Sequence, residues 1–325
     1  MTRNLYLGAD LAPVLAAGNP QALVAAVTAV YANVQATNFP ERAEALADEI
    51  ADSDPHLVGL QEAALWRSQT PADPSSPAEN IEYDFLEILL DELSARGKHY
   101  EAVATVTVGS DFEAPRIMPG GGLQDIRLTD RDVLLKRTDL PARVFSVANA
   151  QAARFQRHVE VCVPSHCPQG ALRIRVERGW VAADATVRGH TTRVVSTHLE
   201  PASPAVREAQ ADELLAGPLN TAHPTVLFGD LNSAPGTPTY NRFLGAGFTD
   251  AWTATRPRDP GFTCCQDANL RNPTSKLTQR IDYVLFRGRI NALASQRVGD
   301  NQADRTPSGL WPSDHAGVRS VLLLR

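Results

Sequence analysis

The sequence predicts an α/β protein in which two β-sheets pack face to face beneath outer layers of helix. Three observations carry that expectation. Strand-like runs fill both halves of the chain, a few helical stretches with one apolar face lie among them, and several apolar runs close on, or open from, a short acidic or His-bearing motif.

Arg3 to Leu7 reads as a short strand, followed by an Ala-rich helical region through Tyr31. Pro40 announces the next helix near its start, where a missing N–H is harmless, and Ala43, Leu46, Ala47 and Ile50 give that helix one apolar face. Asp54-Pro55 ends it, because the residue before a proline is pushed out of helical geometry. His56 to Leu60 is then a strand that delivers Gln61-Glu62. Arg67 to Asn80, rich in Pro, Ser and Ala, reads as a surface loop. Phe85, Leu86, Leu89, Leu90 and Leu93 recur at helical spacing up to the stop at Gly97, and Tyr100 to Val108 alternates like a strand. The tract Gly120-Gly121-Gly122 falls in the loop after it; with no Lys-Ser or Lys-Thr behind it, it is a flexible loop rather than a nucleotide-triphosphate cradle.

From Asp132 to His198 the chain is almost all strand-like, in the runs Val133–Leu135, Ala142–Val147, His158–Cys162, Leu172–Val176, Trp180–Val187 and Thr192–Thr197. A helix around Ala205 to Leu215, the apolar strand Thr225–Phe228, a helix Pro238–Leu244 and strands at Ile281–Phe286 and Val318–Leu324 complete it.

The 325 residues exceed the usual size of one domain, yet large α/β sandwiches fold as single units, and one catalytic domain over 1–325 is the expectation. With 43% hydrophobic and 21% charged residues, and no apolar stretch near the length of a membrane span, disorder and a transmembrane segment are excluded. A net charge of -6 and a pI near 5.8 argue against holding nucleic acid mainly through its backbone, although a local basic groove is compatible with them. Lys occurs only at Lys98, Lys136 and Lys276, which with the Ala richness reads as a coding bias. Cys162 and Cys167 are spaced for a disulfide across Val163-Pro164-Ser165-His166, with free thiols as the other reading and a zinc site through His166 less expected, while the adjacent Cys264-Cys265 cannot bridge to each other without strain. No signal peptide stands between Met1 and the first strand, so export would require an upstream segment, and a cytoplasmic protein is the other reading.

Four motifs stand in one order: Gln61-Glu62, Gly229-Asp230-Leu231-Asn232, Arg280-Ile281-Asp282-Tyr283 and Ser313-Asp314-His315. Strand ends hold side chains still, and carboxylates brought together there need a cation. Glu62 by itself is a strand-terminal acid of the kind that faces water. Asp230 and Asn232 precede Ser233-Ala234-Pro235-Gly236, where an Asx-type turn explains them as well as a site does; their alternate positions turn both side chains to one side, suited to gripping a water or a phosphate oxygen. Asp282 lies inside an apolar strand, where an unpaired carboxylate is costly to bury. His315 is its natural partner, since an Asp-His hydrogen bond fixes the tautomer and raises the imidazole pKa above its reference of about 6.5. His198, in Ser196-Thr197-His198-Leu199-Glu200, ends another strand-like run and alone is an ordinary core or surface histidine.

Together these residues resemble the endonuclease/exonuclease/phosphatase superfamily, also called the deoxyribonuclease I-like fold. The resemblance runs from Thr2-Arg3-Asn4-Leu5 through Leu60-Gln61-Glu62, Thr197-His198-Leu199, Gly229-Asp230-Leu231-Asn232 and Arg280-Ile281-Asp282-Tyr283 to Ser313-Asp314-His315. It implies a four-layer α/β sandwich, two packed, mostly antiparallel β-sheets flanked by helices, with these residues gathered at one end. It also implies that Glu62 is the principal Mg²⁺ ligand, with Asn4 and Asp314 at the metal. Asp230 and Asn232 would orient the attacking water and the scissile phosphate, Asp282 would buttress His315, and His198 would stabilise or protonate the leaving oxygen. His315 as base and His315 as phosphate clamp both stay open. The physics agrees: two carboxylates about 4 Å apart repel by roughly 4 kcal/mol at an effective dielectric of about 20. Hard oxygen ligands favour Mg²⁺ or Mn²⁺ over Zn²⁺.

The reaction this resemblance implies is metal-dependent hydrolysis of a phosphodiester. Nucleic acid is the first substrate expectation and a phospholipid head-group diester, including sphingomyelin, the second; a phosphomonoester and a silent binding protein on the same fold are further alternatives. An inositol 5-phosphatase is disfavoured because no Trp-Cys-Asp-Arg surrounds Asp282, and an abasic-site nuclease because His198 departs from its pattern. A sphingomyelin diesterase should carry an exposed aromatic hairpin, whereas Arg287 to Pro312 is polar apart from Leu293, Leu310 and Trp311. Arg131 and Arg280 are expected to rim the cleft, where Arg is the better phosphate clamp, with solvated surface charge as the commoner alternative. The long polar loop Phe262–Thr278, just before the Asp282 strand, is of a length that is often functional.

Overall fold

The computed structural model describes residues 1–163 and 172–325. Strand Thr225–Asp230 is buried at every position, so it must be covered on both faces. It lies inside a sheet whose order is Thr249–Asp250, Asp282–Arg287, Thr225–Asp230, His190–His198, Gly179–Val187, Phe145–Arg154. Period-two alternation sorts its side chains: Val226 and Phe228 face the other sheet, while Leu227 faces the outer helices Pro204–Ala216 and Pro238–Gly245, beside Leu214 and Phe243.

The second sheet runs Ile290–Val298, Gly317–Leu324, Thr2–Asn4, Leu57–Gln61, Leu123–Arg137, Leu65–Gln69, Asn80–Asp84, with Tyr100–Ile117 paired to Leu123–Arg137. Here Leu134 points to the first sheet, whereas Val133 and Leu135 point outward, to the helices Pro20–Ala36, Phe39–Ser53 and Phe85–Ala95. The result is helix, sheet, sheet, helix, as expected. Prolines open several helices (Pro20, Pro40, Pro204, Pro238), and Asn19, Asp84 and Ser203 accept backbone N–H bonds at their N-caps. No helix among the described residues is long and apolar enough to cross a membrane.

The sheets approach closely at Gly59, where a Cβ would collide with Ser196 and the Phe228 ring. Two residues on, Gln61 bridges them: its Nε2 donates to Ser196 Oγ at 3.1 Å and its Oε1 accepts from Thr2 Oγ1 at 2.9 Å. The dipeptide Gln61-Glu62 thus spans a seam between the sheets.

Several expectations shift in detail. The first strand is only Thr2–Asn4, because the chain turns at Tyr6, whose φ is +61°. Arg67–Asn80 is not all loop: its ends belong to a hairpin of Leu65–Gln69 with Asn80–Asp84. The strand from Tyr100 runs on to Ile117 and pairs with one that starts at Leu123, making a ribbon longer than its alternating stretch suggested. Ile290–Val298 is an edge strand, with one exposed face that made it read as polar loop. Leu310 and Trp311 are fully buried, against Tyr6 and Leu270. The Sγ atoms of Cys264 and Cys265 lie against each other. Cys167 and His166 lie outside the described residues, and with them the expected pairing to Cys162.

Candidate active site

Strand registry levels the polar residues at one end of the sandwich. His198, Asp230 and Asp282 are direct partners across three adjacent strands, His198 with Asp230 and Asp230 with Asp282. Asn4 is the partner of Gln61 on the other sheet, so Glu62 follows one residue past that strand's end. Gly229 makes the close strand approach possible: its φ is +142°, and a Cβ there would run into the Thr197 backbone. Glu62 and Asn232 sit in the left-handed region, with φ of +58° and +47°, an uncommon conformation that turns each out of its strand's pleat.

The two sheets meet through Asn4. Its Nδ2 donates to Glu62 Oε1 at 3.2 Å and to Asp230 Oδ2 at 3.4 Å, while its Oδ1 accepts from the Tyr6 N–H. The other Glu62 oxygen accepts from the Leu7 N–H at 2.8 Å. Asp230 Oδ1 accepts from the Asn232 N–H, and Asn232 Nδ2 donates to the Leu199 carbonyl. Asp314 lines the same cleft as Glu62.

His315 Nδ1 lies 2.8 Å from Asp282 Oδ2, so its Nε2 is left facing Asp230 Oδ2 at 3.9 Å and Cys265 Sγ at 4.0 Å. Burial works to lower its pKa, but Asp282, Asp314 and Asp230 outweigh burial and hold it well above 6.5, as an imidazolium. His198 is the opposite case. Burial, with the charges of Arg178 and His315, drives its pKa well below 6.5. Arg178 Nη1 stands 3.1 Å from His198 Nδ1; a guanidinium can only donate, so that nitrogen accepts and the ring proton sits on Nε2, 3.4 Å from Asp230 Oδ2.

The carboxylates are too many for the cations beside them. Burial, then the charge of Asp314, raises the Glu62 pKa, and burial, then Asp282, raises that of Asp230 to about 7. Both Asp132 oxygens, Asp130 Oδ1 and Asp282 Oδ1 are buried with no hydrogen-bond donor. Unsatisfied buried anions on this scale call for protons or a cation, and an all-oxygen donor set fits a hard divalent ion. Asp230, Asp282 and His315 also bring their ligand atoms within 4.8 Å of one another.

Asp130, Asp132 and Arg178 were not singled out in the sequence. The signal was present in Thr129-Asp130-Arg131-Asp132-Val133, where alternation in a strand sends both acids to one face. Arg131, between them, points the other way: it is paired with Asp84 and donates to the Ala63 carbonyl. Arg280 is buried against Asp250 and Thr253. Neither guanidinium is a free rim cation, because each is neutralised by a carboxylate within its own layer; Arg178 is the cation among the described residues that line the cleft. The Phe262–Thr278 loop does join it, since Cys264 pairs with the His315 backbone and the Gln266 N–H donates to the Asp314 carbonyl.

The Endonuclease/Exonuclease/phosphatase family model matches residues 30–315. The chain belongs to that family. Solved structures with the same fold include an endonuclease/exonuclease/phosphatase family protein from Leptotrichia buccalis, at 16% identity over 87% of this chain and 93% of that one, with a TM-score of 0.55. A Bacteroides thetaiotaomicron mannosyl-6-phosphatase matches at 16% identity, over 90% and 95%, with a TM-score of 0.51. Danio rerio TDP2, complexed with a single-strand DNA product, matches at 15% identity, over 88% and 93%, with a TM-score of 0.52. A comparison with curated protein sequences finds no match. Membership makes the chain one of a family of metal-dependent phosphoester hydrolases.

Proposed function

We propose that this endonuclease/exonuclease/phosphatase family protein is a Mg²⁺-dependent phosphodiester hydrolase, with Mn²⁺ as an effective substitute. The observation that carries the reading is Asn4, hydrogen-bonded to both Glu62 and Asp230 across the seam between the sheets, with the Asp282–His315 pair directly beside Asp230. Glu62, Asn4 and Asp314 would hold the ion. A divalent cation there supplies positive charge against the phosphoryl and leaving oxygens.

The protein's own groups divide the remaining work. Asp230, held by the Asn232 N–H, accepts the proton of the attacking water as oxygen bonds to phosphorus. Asn232 aligns that water or a phosphoryl oxygen. His315, fixed by Asp282 and positively charged, clamps a phosphoryl oxygen through Nε2–H; this reading takes the clamp over the base. Neutral His198 offers Nε2–H as a hydrogen-bond donor to the leaving oxygen as its bond to phosphorus breaks; that oxygen departs as an anion and takes its proton from solvent, so His198 loses none.

Nucleic acid has the DNA complex of Danio rerio TDP2 in its favour as a substrate. The cleft beside this site has little to hold a polyanion. Hydrolysis of bis(4-nitrophenyl) phosphate tests the reaction itself. It should proceed with Mg²⁺ or Mn²⁺ and stop with a chelator and in His315→Ala; no turnover with any divalent metal would make the protein a binder on this fold instead.

A further inference from the structure

From Glu62 and Asp314 the cleft continues as a trench of about 480 Å³, within the roughly 300–1,000 Å³ of small-ligand sites. Its walls are hydrocarbon. One is helical, with Val14 and Val30; the other is the long ribbon of Tyr100–Ile117 and Leu123–Arg137, through Phe112 and its cross-strand partner Leu128. Tyr31 and Trp66 lie between the walls, both buried and packed on each other with ring centroids 5.9 Å apart, so neither offers an open face for a nucleobase to stack on. Among the described residues that line the trench, Arg178 is the one cation, and it is spent on His198 at the inner end. The other charged groups there, Asp10, Glu62, Asp130 and Asp314, are acids.

A nucleic-acid backbone needs cations along its path, whereas a hydrocarbon chain needs dry apolar walls. We propose that the trench binds the alkyl or acyl chain of a lipid-like phosphodiester whose phosphate lies at the Glu62–His315 end. This rests on the reading of the site as a phosphodiester hydrolase and names its substrate class.

A homologous series of 4-nitrophenyl alkyl phosphodiesters, methyl to decyl and kept below micelle-forming concentrations, tests the inference. The expected result is a rise in kcat/KM of about fourfold per methylene along the first part of the series. A flat series with the methyl ester still cleaved would overturn the lipid substrate and leave the hydrolase reading standing, as would an oligonucleotide cleaved with higher kcat/KM than the decyl ester. Calorimetry with methyl- and decylphosphonate needs no turnover. Decylphosphonate should bind at least about a hundredfold more tightly, with a negative heat-capacity change. That result in a protein that hydrolyses nothing would uphold the trench and sink the reaction; equal affinities would sink the trench. Leu11 also lines the trench. Leu11→Asp and Leu128→Asn, each checked for folding by its Tm, should flatten the decylphosphonate advantage, and an undiminished advantage in either folded variant would contradict the assignment.

Discussion

His198 and His315 show how far two imidazoles that face the same Asp230 oxygen can be pushed in opposite directions. His315 hydrogen-bonds a carboxylate and is surrounded by others, so it keeps its proton; His198 faces Arg178 and cannot hold a second one. Asp282→Asn should therefore lower the His315 pKa. If the imidazolium clamps phosphate, the alkaline limb of the kcat/KM profile then moves to lower pH and activity at pH 8 falls by about two orders of magnitude, the usual effect of losing one oriented charge in a transition state. An unmoved limb would show that His315 does not act in its charged form. Glu62→Gln keeps the shape and the Asn4 contact but removes the charge, and rates measured against Mg²⁺ concentration should show both a loss of about a hundredfold at saturation and a higher requirement for the ion. Singly, neither histidine was readable from the sequence; Asp282 was, because a lone carboxylate inside an apolar strand must have a partner.

At the scale of elements, the site depends on the chain leaving its first strand in the right direction. Arg42, fully buried on helix Phe39–Ser53, holds that exit: it donates to the carbonyls of Leu5, Tyr6, Pro312 and Thr37. Asn4 and Asp314 are thereby tied to one guanidinium. Arg42→Met should destabilise the fold by about 3 kcal/mol, because it leaves several buried carbonyls without donors, and urea denaturation measures it. A loss under about 1 kcal/mol would mean that water or a backbone shift satisfies them. Element types were legible where apolar period and punctuation agreed, as in Phe39–Ser53, Phe85–Ala95 and Thr225–Asp230. They were not where tertiary pairing decides: the ribbon past Val108 and the edge strand Ile290–Val298 are held by a partner strand and show only weak alternation of their own. Arg131 and Arg280 were misplaced for a related reason. A sequence shows that a guanidinium is near a motif, but not which carboxylate neutralises it.

Across the whole molecule, two sheets bring distant acids to one end, and their burial makes the fold and the cation interdependent. In the metal-free fold the raised carboxyls of Asp230 and Asp130 keep protons up to about 7, whereas in the unfolded chain such groups lose them near 4. The folded state thus binds more protons between those values, so these groups withdraw stability as pH rises through 7. A cation replaces the protons, and the Mg²⁺-induced rise in Tm should grow from pH 6 to pH 8; a shift independent of pH would place the ion away from these carboxyls. The most direct test of the convergence is a crystal of the protein soaked in Mn²⁺ and measured for anomalous scattering. The account predicts a peak bound by Glu62, within reach of Asn4 and Asp314 and beside the Asp282–His315 pair. A peak elsewhere, or none at a concentration that supports hydrolysis, would contradict it.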